Sequence, residues 1–219
     1  LSDPAAPGSL PPVNVPGAVV AYDAASEHAI TVDFQLQAVT VPEEQCWMNP
    51  QFHDYDYETG RCLLAHRDLK LVELAGSGAT LVDTYDVEGT DGALRGVVGA
   101  PGRLYARVSH GYDVWAEDGL VELSREELVV FDAWDGGELD ETARVDARGS
   151  GYWLGRMKAM GNRLLFDADN GLGELDATDP VNPQLQVHDL YGYGCSDLQI
   201  SGNTAYCAMG QYGLQSFSF

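Results

Sequence analysis

Gly161-Asn-Arg-Leu-Leu-Phe-Asp-Ala168 returns 41 residues later as Gly202-Asn-Thr-Ala-Tyr-Cys-Ala208, and Gly171-Leu-Gly-Glu-Leu-Asp176 returns after 42 as Gly213-Leu-Gln-Ser-Phe-Ser218. Each copy is a pair of short apolar runs punctuated by glycine, which reads as strands joined by tight turns. A period near forty carried by such runs is the length of one four-stranded blade. The expected fold is therefore all-β, a β-propeller with about four blades of four-stranded antiparallel sheet in this chain, either complete or part of a larger ring.

Outward from that stretch, the rest of the chain divides in the same way. Residues 1–16 form a Pro-rich lead-in and an outer strand, 17–90, 91–148 and 149–191 are three blades, and 192–219 is an incomplete fourth. Expected strands are 18–22, 29–34, 69–74 and 79–84, then 94–98, 103–108, 128–132 and 139–145, then 153–159, 163–168, 173–177 and 184–190, and finally 197–200, 204–208 and 214–219. They alternate or run continuously apolar over a few residues between Gly, Asn or Asp, and no segment has a helical period. The last blade stops after a third strand. Two readings stay open: residues 9–15 supply the missing strand and close a small ring, or further blades complete a larger one, the latter being preferred. Because Leu1-Ser-Asp-Pro4 reads as the interior of a repeat, the chain is expected to be a piece of a longer precursor.

The pattern Gly-Asn-x-x-Tyr-x-Ala followed by Gly-Leu-x-x-x-Asp-x-x-Asp-Pro-x-x-Pro, assembled from residues 153–219 with 1–7, resembles the LVIVP-type repeats of exported bacterial β-propellers. The resemblance covers about a third of the chain. It implies a secreted or cell-surface propeller and no particular chemistry.

Asp and Glu outnumber Lys and Arg by 34 to 12, for a net charge of −22. That sign repels nucleic acid and anionic membranes and favours cations or basic partners. No run is long and apolar enough to span a bilayer. Four cysteines in two local pairs suggest disulfides and an extracellular, cell-surface or periplasmic location. Cys46 with Cys62 is the favoured bond, since it would staple a long loop at a gain of about 3 kcal/mol. Cys195 with Cys207 is less favoured, because a Gly202-Asn203 turn sets Leu198, not Cys195, opposite Cys207.

The second-to-third links of the first two blades are long, 35–68 and 109–127, and fall on one face. Long insertions on a rigid scaffold are where binding is sought. The first carries Trp47, Phe52, His53, Asp54, Tyr55, Asp56 and Tyr57, and the second His110, Tyr112, Asp113 and Trp115. Rings beside carboxylates suit a protein, a glycan or a cation. The competing reading packs the rings into the loop's own small core. Asp167, Asp169 and Asp176 have some of the spacing of a calcium loop, though the same residues make the repeat's turn; no cofactor is required by any motif.

The resulting expectation is an exported, non-catalytic binding module whose recognition face is built by 40–61 and 109–126. Its partner would be a protein, glycan or surface component, or the remaining blades of its own precursor. A hydrolase or lyase with a carboxylate and histidine site at the axial mouth is the first alternative, and a structural part of a surface assembly the second.

Overall fold

Alternating apolar positions and turn-forming glycines organise the chain into four antiparallel sheets, one of them curled into a half-barrel, so that the protein is all-β in the computed structural model. The structure describes residues 14–76, 78–89, 92–111, 113–116, 119–122, 125–132, 134, 137–147, 156–168, 171–190 and 194–219.

The first sheet contains β1 (Ala18–Asp23), β2 (His28–Val39), β3 (Phe52–Asp56), β4 (Arg61–Ala75) and β5 (Gly78–Tyr85), with a short helix α1 (Glu43–Met48) between β2 and β3. Strand β2 lies between β1 and β4. The other edge of β4 is shared, pairing with β5 along Leu69–Ala75 and with β3 along Arg61–Leu64. The β2–β4 ladder is uninterrupted from His28 opposite Glu73 to Val39 opposite Cys62. The expected loop 35–68 is thus a correction: its two ends, 35–39 and 61–68, continue the hairpin past β1 and β5 as an arm, and the rest carries α1 and β3. The absence of helices is corrected at the same place.

The second sheet is the meander β6 (Gly92–Ala100), β7 (Arg103–His110), β10 (Arg125–Asp132) and β11 (Asp140–Asp146). Between β7 and β10 a two-stranded ribbon is inserted, β8 (Asp113–Ala116) with β9 (Gly119–Glu122). The third sheet, β12 (Met157–Met160), β13 (Arg163–Ala168), β14 (Gly171–Asp176) and β15 (Gln184–Asp189), is the plain unit with minimal links. The fourth has β16 (Asp197–Ser201), β17 (Thr204–Ala208) and β18 (Leu214–Ser218). The described strands lie close to those expected from the repeat. Residues 1–13 and 151–155, on which parts of two expected strands fall, are outside the described residues.

Turn chemistry explains the recurrence of Gly-Asn. Gly161 and Gly202 have φ of +57° and +58° and lead two-residue loops closed by Met160–Arg163 and Ser201–Thr204. A left-handed first central residue is what a type II′ hairpin turn requires, and glycine takes it without a Cβ clash.

Because side chains alternate across a strand, the middle sheets feed cores on both sides. On β7, Leu104, Ala106 and Val108 face the first sheet's Ile30, Leu69 and Leu71, while Tyr105 joins Leu164, Phe166 and Leu175 of the third. Strand β10 divides likewise, Val129 and Phe131 one way and Leu128 and Val130 the other. Leu165 and Leu172 then meet Leu198, Ala205 and Cys207 of the fourth sheet. Three cores thus lie between consecutive sheets, and each large buried side chain contributes about 1.5–3 kcal/mol. The leading strands follow the same order: β1 touches β6, β6 touches β12, and β12 touches β16.

Candidate functional site

The arm is built from backbone pairing, and many of its side chains are displayed to solvent. Residues 34–38 of β2 are all exposed. At the tip, Trp47 is 57 % exposed and Tyr57 73 %, among the most exposed large apolar residues of the described chain. Trp47 leans on Phe52 with ring centroids 4.4 Å apart, and Tyr55 meets Tyr57 edge to face at 5.0 Å. Glu43 on α1 accepts from Trp47 Nε1 at 3.4 Å and from the Tyr57 hydroxyl at 3.3 Å. The negative charge of Glu43 pushes the Tyr57 phenol above its ordinary pKa. Asp56 is held below the usual carboxylate range by the Thr59 hydroxyl, which donates at 2.6 Å, and by backbone N–H groups of Thr59 and Glu58. Lower on the arm, exposed His53 sits edge-on to Phe34 at 5.5 Å, Asp54 is exposed beside it, and the Arg67 guanidinium covers the Phe34 ring at 5.2 Å.

A small core does exist inside the arm, and it holds Cys46 and Cys62, both fully buried. They remain thiols, which corrects the favoured disulfide. Burial, helped by a hydrogen bond with Cys46, pushes the Cys62 thiol up to about 12. Beside the thiols a cavity of about 290 Å³ is lined by Val39, Val41, Gln45, Asn49, Cys62 and Leu64. The disulfide forms instead between Cys195 and Cys207, whose Cα atoms are 5.3 Å apart. Leu198 does lie opposite Cys207 as the turn demanded. Cys195 stands just before β16, outside the ladder, and is placed by its N–H on Asp167 Oδ1 at 2.8 Å.

The second insertion contributes less to a displayed face. His110, at the end of β7, is 7 % exposed and holds Glu127 at 2.9 Å. Asp113 and Trp115 lie on β8, and Tyr112 is outside the described residues.

The calcium trio is not assembled. Asp169 is outside the described residues, and Asp167 and Asp176 occupy opposite ends of the β13–β14 hairpin, paired with Leu172 and Arg163. Four rungs of about 3.4 Å separate them. Asp167 receives the Cys195 N–H, and Asp176 receives the N–H and hydroxyl of Thr178, which hold it below the usual carboxylate range.

At the root of the arm the fold assembles a group that sequence reading missed. His66 and Asp68, two apart on β4, share a strand face. Asp86 and Glu88 come from the link between β5 and β6. His66 Nε2 lies 3.1 Å from Asp68 Oδ1 and 3.6 Å from Asp86 Oδ1, while its Nδ1 lies 3.1 Å from Glu88 Oε2. The Glu88 side chain is completely buried. It accepts the N–H of Leu94 at 2.7 Å, the N–H of Arg67 at 3.0 Å and Gln51 Nε2 at 3.3 Å. The only local signals were His-x-Asp and Asp-x-Glu, eighteen residues apart and meaningless until β4 and β5 form their hairpin.

No family model matches the chain, and no curated protein matches it.

Proposed function

We propose that the chain is a non-catalytic recognition module of propeller type, exported from the cell, that binds its partner through the arm. The observation carrying this reading is the exposure of Trp47 and Tyr57 on a strand-built projection, beside Glu43, Asp54 and Asp56. Rings with two rigid torsions give contact area at low entropic cost, and neighbouring carboxylates favour cationic groups. The partner chemistry is a protein or glycan surface that offers apolar faces for the rings and positive charge for the acids.

Support for the propeller comes from the forty-residue repeat, from the three cores between consecutive sheets, and from the contact of each leading strand with the next, as innermost strands around an axis would make. The resemblance to LVIVP-type repeats points the same way. Export is supported by the Cys195–Cys207 bond, a kind of bond that persists in oxidising compartments. No helix among the described residues is long and apolar enough to cross a membrane.

The test removes the arm and keeps the body. Gln37 and Leu64 face each other across the ladder, so residues 38–63 can be replaced by an Asn-Gly turn. On arrays of glycans and of basic peptides, the intact chain should bind one class and the armless chain none, with far-UV circular dichroism of both reporting a folded β protein. Binding that survives removal of the arm in a folded chain dismisses this reading.

A further inference from the structure

We propose that His66, Asp68 and Asp86 form a binding site for a divalent first-row transition metal, with zinc the best match. Their three ligand atoms all lie within 4.8 Å of one another. Zinc bonds to imidazole nitrogen and carboxylate oxygen are about 2.0–2.1 Å long, so adjacent ligands of a tetrahedral ion stand roughly 3.3 Å apart. The two separations from His66 Nε2, 3.1 and 3.6 Å, bracket that value.

The charges around His66 give a further reason. A metal-ligating histidine generally donates its other ring N–H to a carboxylate, which fixes the tautomer and strengthens the ligand. The carboxylate nearest Nδ1 is Glu88, which is buried, anchored by Leu94, Arg67 and Gln51, and at ion-pair distance, 3.1 Å. Three carboxylates, Asp68, Asp86 and Glu88, converge on this one imidazole. Like charges brought so close repel, and a divalent cation among them offsets that repulsion.

The remaining contacts hold the ligands in place. Asp86 Oδ1 accepts the N–H groups of Glu88 at 3.1 Å and Gly89 at 2.9 Å, and Gln35 Nε2 donates to Asp68 Oδ2 at 3.4 Å. Two carboxylates and a neutral imidazole cancel the charge of a divalent ion. The mixed nitrogen and oxygen set selects zinc over calcium, which takes six to eight oxygens. Three protein ligands leave one position for water, and Asp86, its side chain 51 % exposed, sets that position towards solvent.

Calorimetric titration of the metal-free native chain with Zn²⁺ should give one site per chain. His66→Ala and Asp68→Asn should weaken it at least about 100-fold, and Glu88→Gln by about 10- to 100-fold with the stoichiometry kept. Asp176→Asn should leave it unchanged. A measurement needing no variant accompanies these: in long-range ¹H–¹⁵N spectra of the native chain, Zn²⁺ should shift His66 Nε2 while Nδ1 stays protonated. With Co²⁺, the site should show ligand-field bands and no sulfur-to-cobalt charge transfer. Absence of Zn²⁺ uptake, a shift confined to another histidine, or a thiolate band implicating Cys46 and Cys62 would overturn the proposal.

Discussion

The third and first sheets are the same meander put to different uses. In the third, Gly161-Asn162 and the short link between β13 and β14 return the chain as quickly as geometry permits, and Leu164, Phe166, Leu172 and Leu175 vanish into two cores. In the first, the link between the two central strands becomes more strand. Leu69 and Leu71 at the foot of β4 are buried like their counterparts, whereas residues 34–38 across the upper ladder are open to solvent. The difference teaches that the repeat specifies a scaffold by its faces, and that extending one hairpin past its neighbours is enough to turn a structural unit into a displayed one.

That contrast can be broken most severely in the plain sheet. Phe166→Ala should cost about 3–5 kcal/mol, since the ring is fully buried between the second and third sheets. Urea unfolding followed by tryptophan fluorescence measures it, and a loss below 1 kcal/mol would mean the core is not continuous there. Replacing Cys195 and Cys207 together by Ala should cost about 2–3 kcal/mol, because the bond spans a sequence separation of only 12. The same replacement at Cys46 and Cys62 removes no crosslink, and reducing agent should lower the melting temperature of the native chain and of that variant but not of the chain lacking Cys195 and Cys207.

Gly173→Ala sharpens the comparison at the level of one methyl group. An ideal Cβ there would stand 2.0 Å from the Phe166 ring, which lies across the glycine on the facing strand. The expected cost is about 1–3 kcal/mol, with loss of near-ultraviolet circular dichroism around the displaced ring. On the arm, Trp47→Ala with Tyr57→Ala should change stability by no more than about 0.5 kcal/mol while abolishing partner binding. A large stability loss there would return these rings to a packing role.

The smallest effect is electrostatic. The Lys70 ammonium bonded to Asp33 near the foot of the arm holds that carboxyl below its ordinary value, assisted by the Phe34 N–H. A depressed carboxylate contributes stability above its unfolded pKa of about 3.9 and loses it as pH falls through the lower folded value. Asp33→Asn should therefore lower stability slightly at neutral pH, by a difference that shrinks to nothing as pH falls below the folded value, so that the acid limb is flatter. Melting temperatures across the acid range would show it.

The contrast also explains what could be read in advance. Strands β6, β7, β10 and β11, and their counterparts in the third and fourth sheets, announce themselves as short apolar runs between turn residues, and in the third and fourth sheets those turns also recur about forty residues apart. The arm does not. In Arg61-Cys-Leu-Leu-Ala-His-Arg-Asp68 no face is consistently buried, so alternation gives no signal, and Glu43–Met48 is too short for a helical period. Trp47 and Tyr57 were legible as ring-rich and acidic, but their exposure depended on a ladder invisible in composition. His66, Asp68 and Asp86 were unreadable because their nearness is created by one hairpin and by the link from β5 to β6.

The unbroken register from His28–Glu73 to Val39–Cys62 has an evolutionary corollary. Side chains on a strand alternate with a period of two, so lengthening both limbs by two residues would raise the tip and keep its orientation, whereas a one-residue step would turn it to the opposite side. Reach and aim of the projection are thereby inherited as separate traits, adjustable by small duplications while the stacked sheets beneath stay untouched.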